Sequence, residues 1–195
     1  MHTEVQFSGP FSWIKQASLP EIWQATGLIE RPGIYVMTIA LPAGHLPYYV
    51  GESKSLFERL STHYEKTRRG EYRVFEPDAF ARGERVQIWP GVFRNAKTPA
   101  QCKAALPQLW PAIQAKLRST RLFIAPLDCD PRTRVRIEAE IAQPLQWKGG
   151  RWRAANPFQD DTVCYRPKTA SEAAVECRLT LPAPIMGLRE GTFWA

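Results

Sequence analysis

The sequence predicts an α/β fold of the α+β kind, a small mixed or antiparallel sheet flanked by helices, on three observations. Two apolar strand patterns, at residues 34–39 and 48–51, lie close enough in the chain to pair back antiparallel. Two longer segments, about 55–66 and 130–146, carry apolar residues at helical spacing. The chain has 195 residues, 44% hydrophobic and 23% charged, a size at which one core forms without disulfides or structural metal.

Each element follows from local chemistry. The first 30 residues hold apolar clusters at 11–14 and 22–23 around Ser18, Leu19 and Pro20, and read as an irregular or briefly helical arm. Arg31, Pro32 and Gly33 signal a turn. Ile34, Tyr35, Val36, Met37, Thr38 and Ile39 are apolar on both faces, hence central in a sheet. Residues 41–47 carry Pro42, Gly44 and Pro47 and are expected to form a loop before the second strand. Ser55 and Glu58 then have capping-box spacing, with Leu56, Phe57, Leu60 and Tyr64 on one stripe and Arg59 and His63 one turn apart.

From 67 to 119 the pattern is weaker. Residues 85–89 read as a strand, and Thr98 and Pro99 as an N-cap and first helical residue. Pro107 and Pro111 are expected to keep that helix short or kinked. Residues 122–124 form a third core strand, and Asp130 and Pro131 open a helix whose buried stripe is Ile137, Ile141 and Leu145. Gly149 and Gly150 then turn the chain. The rest, rich in Pro and Thr with a strand at 175–181, is expected as a C-terminal extension of one domain.

Glu138 falls inside the apolar arc of its helix, whereas Glu140 points away. Burying a carboxylate unpaired costs several kcal/mol, so Glu138 must meet a cation, a hydrogen-bond network or a metal ion. The four cysteines, Cys102, Cys129, Cys164 and Cys177, lack metal-site spacing and read as free thiols. No run approaches the ~18 apolar residues of a membrane span, and residues 1–6 lack a secretory pattern, so no membrane partner and a cytoplasmic location are expected. The formal charge is +7, and residues 85–127 contain no Asp or Glu but seven Lys and Arg. Such a block is either a polyanion footprint or a solvated basic face.

In order along the chain stand Gly33, Ile34, Tyr35; then Tyr49, Val50, Gly51; then Arg59, eight residues after Gly51, with His63; then Glu138; then Asn156. This order resembles the GIY-YIG nuclease superfamily, with YVG as the second tripeptide. The resemblance covers about 31–156, and the spacing of Arg59 and His63 is similar to that of some restriction-type members. The 75 positions from His63 to Glu138 exceed what a compact member uses, which implies an insertion around 70–119.

The resemblance implies a divalent-metal-dependent endonuclease that hydrolyses DNA phosphodiester bonds, with duplex DNA as partner and no organic cofactor. Tyr35 would act near the attacking water as general base and Tyr49 would position water or phosphate. Arg59 would clamp the scissile phosphate, His63 would assist, and Glu138 would hold one Mg²⁺ or Mn²⁺. Oxygen ligands suit those ions, and a guanidinium presents a fixed fork of donors to phosphate. A tyrosine of ordinary pKa is only about one part in a thousand phenolate at pH 7, so Tyr35 needs a cation or proton acceptor, for which His63, Arg59 and Lys54 are candidates. Asn156 would bond the second strand or the metal's water shell, or simply make the turn before Pro157. Gly33 and Gly51 are expected to serve backbone approach rather than substrate.

The basic block supplies further substrate-binding candidates, Arg94, Lys97, Lys116 and Arg118, which with Lys54 would contact phosphates. Two rival readings remain: a nucleic-acid-binding module on the same scaffold that does not cut, and a protein-interaction domain using the Pro-rich C-terminal segment.

Overall fold

In a computed structural model of the chain, which describes residues 2–146, 158 and 165–195, every residue from Gly33 to Ile39 is buried. Two apolar faces demand cover on both sides, and the architecture follows from that. Strands β1 (His2–Gln6) and β2 (Ser8–Phe11) and a short 3₁₀ turn at Ile22–Gln24 precede β3 (Gly33–Leu41) and β4 (Gly44–Ser53). Then come α1 (Leu56–Arg68), β5 (Val74–Phe75), α2 (Pro77–Ala81), β6 (Gln87–Trp89) and α3 (Pro99–Ser119). The chain continues through β7 (Thr120–Pro126), α4 (Pro131–Gln146), β8 (Glu176–Thr180) and β9 (Gly191–Trp194).

The central sheet is antiparallel in the order β2-β7-β3-β4. A second sheet, β1-β8-β9, pairs β1 with β8 in parallel and β8 with β9 antiparallel, and β5 pairs with β6. The chain is therefore a mixed α+β protein. Because side chains alternate along a strand, Ile34, Val36 and Val50 face α4 and the second sheet, meeting Ile137, Ile141, Cys177 and Leu179. Tyr35 and Met37 face the other way, onto Leu56 and Leu60 of α1 and Ile113 and Leu117 of α3. Among the described residues no helix is long and apolar enough to cross a membrane, and Cys102, Cys129 and Cys177 are free thiols. Cys164 lies outside the described residues.

Three expectations are corrected. The N-terminal arm is not merely irregular: it adds β1 and β2 to two sheets. Residues 41–47 are not a loop, for Leu41 pairs with Gly44 and only Pro42 and Ala43 turn the chain. Pro47 is accommodated because β4 is an edge strand. His45 directs its N–H and C=O outward, to Pro184 and Met186, and Pro47, two residues on, points its missing donor the same way, where no ladder bond is lost. Finally, α3 runs unbroken through Pro107 and Pro111. The carbonyls those prolines orphan, Lys103 and Pro107, lie with Pro111 on one exposed stripe that water can satisfy. A complete capping box, Thr98 with Gln101, starts that helix. The strand expected at 85–89 is confined to Gln87–Trp89.

Candidate active site

Pairing of β3 with β4 sets the first part of the site. Tyr35 stands opposite Gly51 and Met37 opposite Tyr49, so Tyr35 and Tyr49 are diagonal neighbours on one face and stack with ring centroids 5.9 Å apart. Gly51 is required there, because a Cβ would overlap the Tyr35 hydroxyl and ring. Gly33 is likewise pressed against β7, where a Cβ would overlap the Ala125 carbonyl. Both glycines thus serve close approach inside the sheet.

Helix α1 brings the second part. Ser55 caps it, accepting from the Glu58 N–H at 3.3 Å, and the four-residue spacing aims Arg59 and His63 at the tyrosine pair. Arg59 Nε donates to Tyr35 Oη at 3.2 Å, and its Nη2 reaches Tyr49 Oη at 3.4 Å. Tyr35 Oη lies 2.7 Å from His63 Nε2. Burial, and after it the charges of Arg59, Lys116 and Lys66, lower the His63 pKa to about 3, so the imidazole is neutral. A guanidinium only donates. The Tyr35 hydroxyl therefore accepts from Arg59 and donates its own O–H to His63 Nε2. Burial, reinforced by Tyr49, still holds the Tyr35 pKa well above 10 against the pull of Arg59.

Beside these groups lies a cavity of about 210 Å³ lined by Tyr49, Arg59, His63, Tyr72, Arg73 and Lys116, among others. Tyr35 is wholly buried and does not line it, although the resemblance places it beside the attacking water; its hydroxyl reaches the cavity lining only through Arg59 and His63. Among the described residues no carboxylate lines the cavity or pairs with Arg59.

Glu138 arrives from the opposite layer. Its helix packs on the other face of the sheet, but the side chain reaches the open edge of β4, where Oε1 accepts from the Glu52 N–H at 3.0 Å. The neighbouring free edge group, the Val50 carbonyl, accepts from Tyr165 Oη at 3.1 Å. Burial and then the adjacent Glu52 carboxylate raise the Glu138 pKa to about 7, while the Glu52 N–H and the Arg59 charge pull it down. Glu138 thus shares a field with Arg59 without bonding to Tyr35, Tyr49, Arg59 or His63.

Glu138 fits a divalent-ion ligand in its donor chemistry. Oε2 takes no hydrogen bond among the described residues, and a cation would relieve the repulsion from Glu52. Glu52 itself is held by Arg134, whose Nε donates to its Oε2 at 2.8 Å. No group of three or more His, Cys, Asp or Glu side chains among the described residues could hold a metal, so ligands beyond this carboxylate would have to be water and substrate oxygens.

The remaining candidates divide. Lys116 is buried at the cavity wall, its Nζ donating to the Arg73 carbonyl at 2.8 Å. Lys97 covers the Trp89 ring, 5.2 Å from its centroid. Arg118 is exposed and bonds Gln114 on its own helix, outside the cavity. Lys54 is exposed in the bend between β4 and α1 and has no bond to Tyr35. Arg94 sits in the 3₁₀ turn at Phe93–Asn95. Asn156 lies outside the described residues.

Sequence reading passed over Glu52, Tyr72 and Arg73. Strand alternation after Gly51 could have turned Glu52 toward the Glu138 helix. Nothing local marks Tyr72, whose ring packs 5.5 Å from His63. No family model, curated protein or solved structure matches the chain.

Proposed function

We propose that this protein is a divalent-metal-dependent endonuclease of the GIY-YIG kind that hydrolyses DNA phosphodiester bonds, with a restriction-type role as the narrower reading. The observation that carries it is the cluster of Tyr35, Tyr49, Arg59 and His63 beside a cavity that no carboxylate lines among the described residues. Phosphodiester hydrolysis asks for a fixed cation at the phosphate, an oriented water and charge neutralisation as the transition state forms.

Arg59, braced by two tyrosine hydroxyls, keeps donors for the scissile phosphate. Tyr49, whose ring borders the cavity, orients the attacking water, and Tyr35 fixes Arg59 while His63 accepts the Tyr35 O–H. Glu138 would hold one Mg²⁺ or Mn²⁺, which when bound supplies charge neutralisation at the phosphate and a polarised water. Basic residues outside the cavity, Arg118 and Lys97 among them, would track the flanking DNA backbone.

A second reading, a DNA-binding module that does not cut, is favoured by the complete burial of Tyr35. One experiment separates the two: plasmid and single-stranded oligonucleotides incubated with Mg²⁺, Mn²⁺ or chelator. Metal-dependent nicking that disappears in Arg59→Ala and Glu138→Ala, with folding retained, supports the enzyme. Salt-sensitive binding without cleavage supports the module, and robust cleavage by both variants removes the mechanism.

A further inference from the structure

Endonuclease chemistry on a phosphate needs Arg59 and a small opening, yet the cavity beside it is also lined by the buried Lys116 of α3. Its volume, about 210 Å³, is roughly that of seven waters and below the ~300 Å³ of sites that enclose a free drug-sized ligand. Tyr49 and Tyr72 supply aromatic rings, Arg59 and Lys116 supply positive charge, and the Arg73 guanidinium lies over the Phe93 ring, 4.2 Å from its centroid. Lys116 is the unusual member. It is buried, and its ammonium carries three donors, of which the Arg73 carbonyl takes one while the Phe75 ring lies 5.5 Å away. Burial and the nearby Arg73 drop its pKa to about 8, a cost that an acceptor-bearing ligand would offset.

An aromatic lining, a buried donor and a guanidinium match the parts of one nucleotide: a π face, base-edge oxygens and a phosphate. Stacking on aromatic rings with hydrogen bonds to the base edge is how unpaired bases are held. We infer that the cavity receives a single unstacked nucleotide of the DNA strand, its base on the Tyr72 ring and its edge on Lys116, with its phosphate at Arg59. The inference rests on the endonuclease reading and adds to it: the enzyme engages DNA at a position where one base leaves the helix.

An abasic scan tests it, using the full chain in chelator so that the DNA stays intact. Fluorescent oligonucleotides each lacking one base are titrated, and the same strands carrying 5-iodouracil are photocrosslinked to the unmodified protein. The expected result is a loss of binding of about tenfold when one base, adjacent to the bond cut in the metal-containing reaction, is missing. Iodouracil at that position crosslinks to Tyr72. The abasic penalty vanishes in Tyr72→Ala and shrinks in Lys116→Met. A flat scan with no such crosslink, on DNA that is bound and cut, overturns the nucleotide pocket and leaves the endonuclease standing. Failure to bind DNA at all overturns both.

Discussion

Tyr35 and His63, 28 positions apart in the chain, meet through a 2.7 Å hydrogen bond in which the neutral imidazole nitrogen accepts the phenol O–H. Tyr35 is sealed from solvent, while His63 meets the cavity beside Arg59 and Tyr49.

His63 has an unfolded pKa of 6.5 and a folded one of about 3, so between those values the unfolded chain binds the extra proton. Its contribution is complete above pH 6.5 and is lost as pH falls toward 3, reaching several kcal/mol at the acid end. His63→Gln keeps an acceptor for Tyr35 and removes this acid limb. Urea unfolding at pH 7, 5 and 4 should show wild type weakening faster than the variant, and cleavage by the variant should fall about 100-fold.

Glu138 behaves oppositely. Its pKa rises from 4.5 to about 7, so in the metal-free chain the folded state retains a proton that the unfolded state releases. That stabilisation is present below pH 4.5 and lost as pH rises through 7. Glu138→Gln preserves the acceptor for the Glu52 N–H without the charge. It should match wild type at pH 4.5 and exceed it by roughly 1–3 kcal/mol at pH 8, as read by denaturant unfolding in chelator.

Gly51→Ala places a Cβ inside the Tyr35 ring as well as its hydroxyl. Overpacking of this kind costs typically about 1–3 kcal/mol, and displacement of Tyr35 should shift the near-ultraviolet circular dichroism. Combining it with Tyr35→Phe should not restore stability, because the ring carbons remain.

Arg134 is 4% exposed and Glu52 26%, so their ion pair is largely desolvated. Arg134→Met strands the Glu52 carboxylate beside Glu138 and should destabilise by about 3–5 kcal/mol. Glu52→Gln, which removes the repelling charge instead, should cost less. Melting temperatures of the two single variants and the double variant would show the coupling.

Much of the fold was legible because its signals are local. Ser55, Thr98 and Asp130 cap helices through atoms two or three residues away, and the apolar runs of β3 and β7 name themselves as core. The misreadings have equally physical causes. Prolines read locally as breakers, yet Pro47 faces outward on an edge strand and Pro107 and Pro111 spend their missing bonds on a wet face. The N-terminal arm became strand because β7 and β8 offered it edges, which no local pattern announces.

By itself the sequence determined the helix termini, the central strand and the turn-to-turn spacing that puts Arg59 and His63 on one face, since each depends on backbone geometry within a few residues. Only the tertiary structure decided that Tyr35 is sealed from solvent, that Lys116 is buried at a cavity wall, and that Glu138 bonds a strand edge 86 positions away. Those outcomes depend on which layers and edges meet once two apolar faces of one sheet are covered, and burial, not residue type, then sets the charge each group carries.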